Sequence, residues 1–160
     1  MKRKKFFVIL FIAAAIGLFV FAGSVLREKE DSYQPQQNIQ APIEVPGEFI
    51  LTIQEAEKTD KPIAAMFYVD WCSYCRKYMP VFVEFAKAYK DKYSFAAINC
   101  DRPENVDMVN KFHIMGFPSL FIIDNKINHK FSLNLAATTD ESVMREELDN
   151  YLNVRKNFVK

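Results

Sequence analysis

The sequence predicts an α/β domain with a mixed central sheet flanked by helices, and three observations point there. The run Pro62-Ile63-Ala64-Ala65-Met66-Phe67-Tyr68-Val69 is short, continuously apolar and bounded by Lys61 and Asp70, the mark of a strand buried on both faces. From Arg76 to Lys90 the apolar residues Tyr78, Met79, Phe82, Phe85, Ala86 and Tyr89 recur at helical spacing. A second apolar run, Phe95 to Cys100, is again followed by a helix-like stretch, and the chain then closes with a hairpin pattern and a last helix. Strands alternating with helices, followed by a hairpin, give a sheet with both parallel and antiparallel pairs.

Taken in order, the elements begin with a basic cluster, Met1-Lys2-Arg3-Lys4-Lys5, followed by 21 uncharged residues from Phe6 to Leu26. At ~1.5 Å per residue a helix of that length spans roughly 30 Å, the thickness of a bilayer core. The basic end is expected to stay in the cytoplasm and the rest to be exported. A cleaved signal peptide is the alternative, with Val20-Phe21-Ala22 before Gly23 as its small-residue site. Residues 1–26 are therefore read as a transmembrane anchor or signal peptide. The domain is expected at the cell inner membrane facing the periplasm or extracytoplasmic side, or in the periplasm after cleavage. Disulfide chemistry is normal in either place. Residues 27–46 carry Gln34, Gln36, Gln37, Asn38, Gln40 and three prolines, and read as an extended polar linker. An ordered arm near Ile43 and Val45 is the competing reading.

Residues 47–160 are expected to form the folded domain. Thr52 with Glu55 three residues on suggests a capping box opening a first helix. Pro62 to Val69 is the central strand and Ser73 to Lys90 the helix after it. Phe95 to Cys100 is a second buried strand. Pro103 to Phe112 is a short helix, with proline suited to its first turn. Ser119 to Ile123 is a third strand. Asp124-Asn125-Lys126 turns the chain, and Lys130 to Leu135 returns as an edge strand. Thr139 or Asp140 caps a final helix through Leu148, Tyr151 and Leu152.

Composition sets outer limits. The chain has 160 residues, half of them hydrophobic and 15 of them Phe, so one domain with a substantial core fits. The formal net charge is +1 and the basic residues beyond the N-terminus are interspersed with acids. No nucleic-acid partner is expected.

The chemistry concentrates in Trp71-Cys72-Ser73-Tyr74-Cys75. Two cysteines at this spacing can share one disulfide or one metal. They sit where a buried strand turns into a helix, and a thiolate there meets the positive end of the macrodipole and unpaired backbone N–H groups. That environment lowers a thiol pKa and makes Cys72 the expected nucleophile. Cys75, one turn in, is placed to resolve a mixed disulfide formed at Cys72.

Trp-Cys-x-x-Cys between a strand and a helix resembles the thioredoxin family. Pro80, five residues after Cys75, matches the proline within that family's active-site helix, and Phe117-Pro118-Ser119 resembles its cis-proline loop. The resemblance covers roughly Phe49 to Val154. Phe67 to Cys72 is similar in wording to periplasm-facing relatives, such as the C-terminal domain of the bacterial transmembrane thiol-reductant transporter. The resemblance implies a thioredoxin-like fold and thiol–disulfide exchange by Cys72 and Cys75. It implies a substrate surface at Trp71, Phe117 and Pro118, no cofactor and no metal. The partners it implies are protein thiols or disulfides and a redox partner protein, with the membrane added if the N-terminal segment stays uncleaved. Ser73-Tyr74 is more like the Gly-Tyr of periplasmic isomerases than the Gly-Pro of cytosolic thioredoxins. Reductant, oxidant and isomerase stay open, because ~30 mV amounts to only about 1.4 kcal/mol.

One departure from the family stands out. Cytosolic members carry a buried Asp beneath the cysteines and a Lys on the neighbouring strand. The matching positions here are Met66 and Ala97, so acid and base are replaced together.

Other chemistries compete for these residues. Zinc would need a second close pair of ligands, whereas Cys100, His113 and His129 stand apart in sequence. Covalent haem needs His after the second cysteine, and that position is Arg76. A purely structural disulfide is a further alternative. Cys100 is expected to be a small buried hydrophobe, His113 and His129 ordinary surface or loop residues, and Tyr68 a packing residue. From another functional class, the alternative is a non-catalytic binding module or a scaffold for a membrane complex using the Phe117-Pro118 groove.

Overall fold

A computed structural model describes residues 41–159. The uncharged run Phe6–Leu26 and most of the expected linker lie outside these residues. Among the described residues no helix is long and apolar enough to cross a membrane.

The elements are α1 (Ile53–Ala56), β1 (Ile63–Tyr68), α2 (Ser73–Tyr89), β2 (Ser94–Asn99), α3 (Val106–Phe112), β3 (Ser119–Asp124), β4 (His129–Ser132) and α4 (Glu141–Arg155). They build a four-stranded sheet in the order β2-β1-β3-β4. β1 runs parallel to β2 and antiparallel to β3, and β4 returns antiparallel to β3. This is the mixed sheet that the alternating pattern predicts.

β1 is buried over its whole length because helices cover both faces. Its side chains alternate between two cores, as strand geometry demands. Ala64, Met66 and Tyr68 join the core formed with α2 and α4, where Phe82, Phe85, Met144 and Leu148 pack. Ile63, Ala65 and Phe67 join the core with Ile53 and Ala56 of α1 and Phe112 of α3. Phe67 stacks against both Phe112 and Phe121 at 5.1 and 5.6 Å between ring centroids. α2 buries each apolar residue read from its spacing. Its 17 residues run through Pro80 without a break.

The capping box forms as read: the Thr52 hydroxyl accepts from the Glu55 N–H and the Glu55 carboxylate accepts from the Thr52 N–H. The helix it opens is a single turn, Ile53–Ala56. Pro103–Asn105 is a 3-10 turn ahead of α3, so the expected helix is split in two. Asp140, rather than Thr139, caps α4 by accepting from the Ser142 N–H at 2.9 Å.

Three expectations need correction. The edge strand stops at Ser132 rather than Leu135, because the Asn134 side chain accepts from the Ala136 N–H and turns the chain into a 3-10 turn, Leu135–Thr138. Cys100 lies past the end of β2 and is half-buried, not enclosed like a core residue. For residues 41–46 the ordered arm replaces the extended linker: Ile43 is buried and packs in the α2–α4 core, with Val45 against it.

α4 is fastened to the sheet by polar contacts. The Tyr93 hydroxyl donates to the Leu148 carbonyl at 2.8 Å. Asp124, 1 % exposed at the end of β3, accepts from the Tyr151 hydroxyl at 3.0 Å and from the Arg155 guanidinium, with which it forms an ion pair. Burial alone would push the Asp124 carboxyl up, but the hydrogen bonds from Arg155 and Tyr151 outweigh it and hold it below its usual value. Because folding lowers this pKa, the pair stabilises the fold fully above the unfolded carboxylate value of about 3.9 and loses that contribution as pH falls through the folded value. Arg155→Met, which strands the buried carboxylate, should cost about 3 kcal/mol in urea melts at pH 7. Asp124→Asn should flatten the fall in stability below pH ~4. A parent-like acid profile in Asp124→Asn would show that other carboxylates govern it.

Candidate active site

β1 ends against buried Val69, and the chain turns through Asp70 and Trp71 to place Cys72 as the N-cap of α2. The turn is closed by the Cys72 N–H donating to the Val69 carbonyl at 3.2 Å. Serine, threonine, aspartate or asparagine usually supplies an N-cap acceptor; here a sulfur does. Cys72 Sγ accepts from the Cys75 N–H at 3.0 Å. The two cysteines are disulfide-bonded, with Cα atoms 5.2 Å apart. Cys75 is fully covered, and Cys72 retains 7 % of its surface. The cysteine nearer the solvent is thus the one read as nucleophile.

The loop before β3 faces this pair. The Phe117–Pro118 peptide bond is cis, and the Phe117 carbonyl oxygen lies 3.6 Å from Cys72 Sγ. Trp71 stands out into solvent at 62 % exposure. Its indole N–H donates to Asp101 at 3.3 Å, and its ring meets Phe117 edge-on at 6.0 Å. Trp71, Cys72, Phe117 and Pro118 are therefore brought to one end of the sheet from two separate loops. Tyr74, Met115 and Leu135 add exposed apolar surface. A groove of about 640 Å³ beside Pro118 is lined by Tyr74, Lys77, Tyr78, Phe117 and Leu135.

The floor beneath the cysteines is apolar. Met66 has no exposed surface and shares a core with Cys72 and Cys75. It pairs directly with Ala97 across β1 and β2, so the two replaced positions are neighbours. Glu84 and Asp70 do not replace the family's buried acid: Glu84 lies on the exposed face of α2 paired with Lys87 at 2.8 Å, and Asp70 is engaged by Ile43 and Asn99.

Tyr68 is buried, in keeping with a packing role. His113 adopts the left-handed conformation that terminates α3, and His129 is exposed on β4. Among the described residues no three His, Cys, Asp or Glu side chains gather into a metal-binding group. Burial pushes the Cys100 thiol up to about 11, which keeps it protonated and unreactive at neutral pH. Sequence reasoning overlooked Arg76, whose guanidinium donates to the carbonyls of Asp70 and Ala41 at 2.8 and 2.7 Å. A charged residue directly after the second cysteine was the available signal.

A family model described as thioredoxin matches residues 45–149, which include Trp71, Cys72, Cys75, Phe117 and Pro118. The chain belongs to the thioredoxin family. It is 41 % identical over 69 residues to a thioredoxin of Alicyclobacillus acidocaldarius, covering 43 % of this chain and 64 % of that protein. It is 30 % identical over 93 residues to protein disulfide-isomerase 1 of Dictyostelium discoideum, covering 56 % of this chain and 24 % of that protein. The matched stretch thus spans less than two thirds of either relative. A solution structure of a Thermus thermophilus thioredoxin superimposes with a TM-score of 0.53 at 15 % identity, over 63 % of this chain and 84 % of that one. That likeness bears on the fold alone.

In this thioredoxin-like domain Met66→Asp would bury a carboxyl with no partner. We expect it to cost roughly 1–3 kcal/mol, with part recovered by adding Ala97→Lys directly opposite. Denaturant melts of the single and double variants read this out. A neutral Met66→Asp would mean that the site tolerates a carboxyl without a partner.

Proposed function

We propose that this chain is a thiol–disulfide oxidoreductase that exchanges disulfides with protein substrates through Cys72 and Cys75. The observation that carries the reading is the sulfur N-cap: Cys72 Sγ at the start of α2, 3.0 Å from the Cys75 nitrogen and at the exposed rim of the pair. The backbone N–H and the helix terminus stabilise a thiolate there.

In the reducing direction the Cys72 thiolate attacks one sulfur of a substrate disulfide. A mixed disulfide forms and the first substrate thiolate leaves. Cys75 then loses its proton and attacks Cys72 Sγ, forming the Cys72–Cys75 disulfide and releasing the second thiolate. Two electrons pass to the substrate, and a dithiol partner protein restores the pair. The oxidising direction runs the same steps in reverse. Trp71, Phe117 and Pro118 form the surface on which the substrate chain lies. With Met66 beneath the pair, the proton of Cys75 passes to water or to the departing substrate thiolate rather than to a buried carboxylate.

The reading places the domain on the extracytoplasmic side of the inner membrane, tethered by residues 6–26 or released after cleavage. Support comes from the basic cluster Lys2–Lys5 ahead of the uncharged run. The thioredoxin and protein disulfide-isomerase names among the relatives agree with exchange on protein thiols.

Reduction of insulin by dithiothreitol should be accelerated by the wild-type chain and not by Cys72→Ser. After reduction, alkylation at mildly acidic pH should label Cys72 before Cys75, whereas equal labelling would reverse the roles. Cys75→Ser should accumulate mixed disulfides through Cys72, and normal turnover by that variant would rule out the two-cysteine cycle. For location, fractionation with mass measurement of the mature chain should find it membrane-bound at full length, or periplasmic and shortened. A full-length cytosolic protein would overturn both placements.

A further inference from the structure

The turn that presents Cys72 is held by more than its own helix and strand. Among the described residues each oxygen of the Asp70 carboxylate has one donor. The Ile43 N–H gives the first bond at 2.8 Å and the Asn99 side-chain amide the second at 2.9 Å. The Asp70 carbonyl accepts from Arg76 at 2.8 Å, and the same guanidinium nitrogen reaches the Ala41 carbonyl at 2.7 Å. Asp70 is thus tied to the segment Ala41–Ile43 twice, once directly and once through Arg76. The Ile43 side chain is buried in the core that also contains Met66, Cys72, Cys75 and Met79. A segment almost thirty residues upstream therefore closes one side of the site, and Arg76 is turned to hold it.

We propose that Ala41–Ile43 is part of the frame of the redox site, and that Asp70 and Arg76 are positioning residues that fix Cys72 through it. The inference rests on the exchange chemistry proposed above. The field of a helix terminus falls off within one turn, so a small displacement of the Asp70–Cys72 turn weakens the hold on a thiolate at Cys72. A less stabilised thiolate makes the reduced form less favourable and shifts the couple toward its disulfide.

The test uses the full chain and variants that leave net charge unchanged, so that altered Coulomb forces do not imitate repositioning. Ile43→Ala loosens the packed segment. Arg76→Lys keeps the charge but replaces the planar guanidinium fork with a single ammonium. Two quantities are read on each: the thiolate absorbance titration of Cys72, and the equilibrium constant of the Cys72–Cys75 couple against glutathione. Both variants should raise the Cys72 pKa and shift the equilibrium toward the disulfide by about threefold or more. The double variant should fall short of the sum, because both changes release the same segment. Ile43→Val provides a milder step in the same direction should Ile43→Ala fold poorly. Lower melting temperatures with an unchanged titration and equilibrium would make the segment merely structural and overturn the inference. An additive double variant would also overturn it, since Arg76 would then act independently of the segment. A wild-type couple that fails to exchange with glutathione would sink the proposed function instead, and the Cys72 titration would still decide whether the frame acts on the thiol.

Discussion

The structure depends on one constraint: β1 is buried on both faces. A strand enclosed that way tolerates a charge or a polar side chain along its length only when it is paired. The run from Ile63 to Val69 obeys this, and Asp70 is the first residue at which the chain is free to turn polar. Everything chemical follows within a few residues of that exit. The turn is short, so α2 has to start at once, and the residue that starts it is Cys72. Its sulfur satisfies an N–H that the helix would otherwise leave without a partner, so the same contact that begins the helix also prepares the thiol.

The apolar floor is the second consequence of that burial. Met66 and Ala97 face each other in register on parallel strands, so a carboxyl at the first position would have needed a cation at the second. Replacing both by apolar residues removes two desolvated charges together and leaves no orphan. The site consequently relies on the helix terminus and on its rim for its electrostatics. The rim itself is polar in an organised way: Asp101 holds the Trp71 indole, and Asn99 holds both Asp70 and the Asp101 N–H.

What the sequence made legible depended on whether a feature has a side-chain signature. β1 was readable because burial on both faces leaves an unbroken apolar run, and α2 because burial of one face spaces its apolar residues at the helical period. The capping box at Thr52 and Glu55 was readable because both of its partners are side chains at a fixed spacing. The cysteine pair was readable through residue types and spacing, and the facing proline only through the resemblance to the thioredoxin family. The end of β4 was not: Asn134 closes it with a local side-chain-to-backbone bond, and an asparagine after a strand-like run gives only a weak turn signal. The packed segment at Ala41–Ile43 was legible only as a competing reading, for a related reason. Its polar ties run through a backbone N–H and a backbone carbonyl, groups that carry no side-chain signature. The half-exposed setting of Cys100 depends on where β2 stops, and strand ends are the least distinct part of an apolar run.

The ends of the sheet differ in how they are closed, and this bears on solubility rather than chemistry. Beyond β2 the single bridge from Leu51 to Ala96, with the Leu51 N–H donating to Phe95 at 2.8 Å, and the capped turn after it occupy the outer side of that strand. At the other margin β4 has only four residues, all exposed, and Lys130 lays its ammonium over the Phe112 ring at 4.9 Å. A short strand carrying lysine is a poor template for a foreign strand. Exchange with protein substrates, the function proposed above, would bring extended chains close to these margins. Here the hydrogen-bonding capacity of the margins is curtailed at both sides, which leaves the sheet few places to take up a foreign strand.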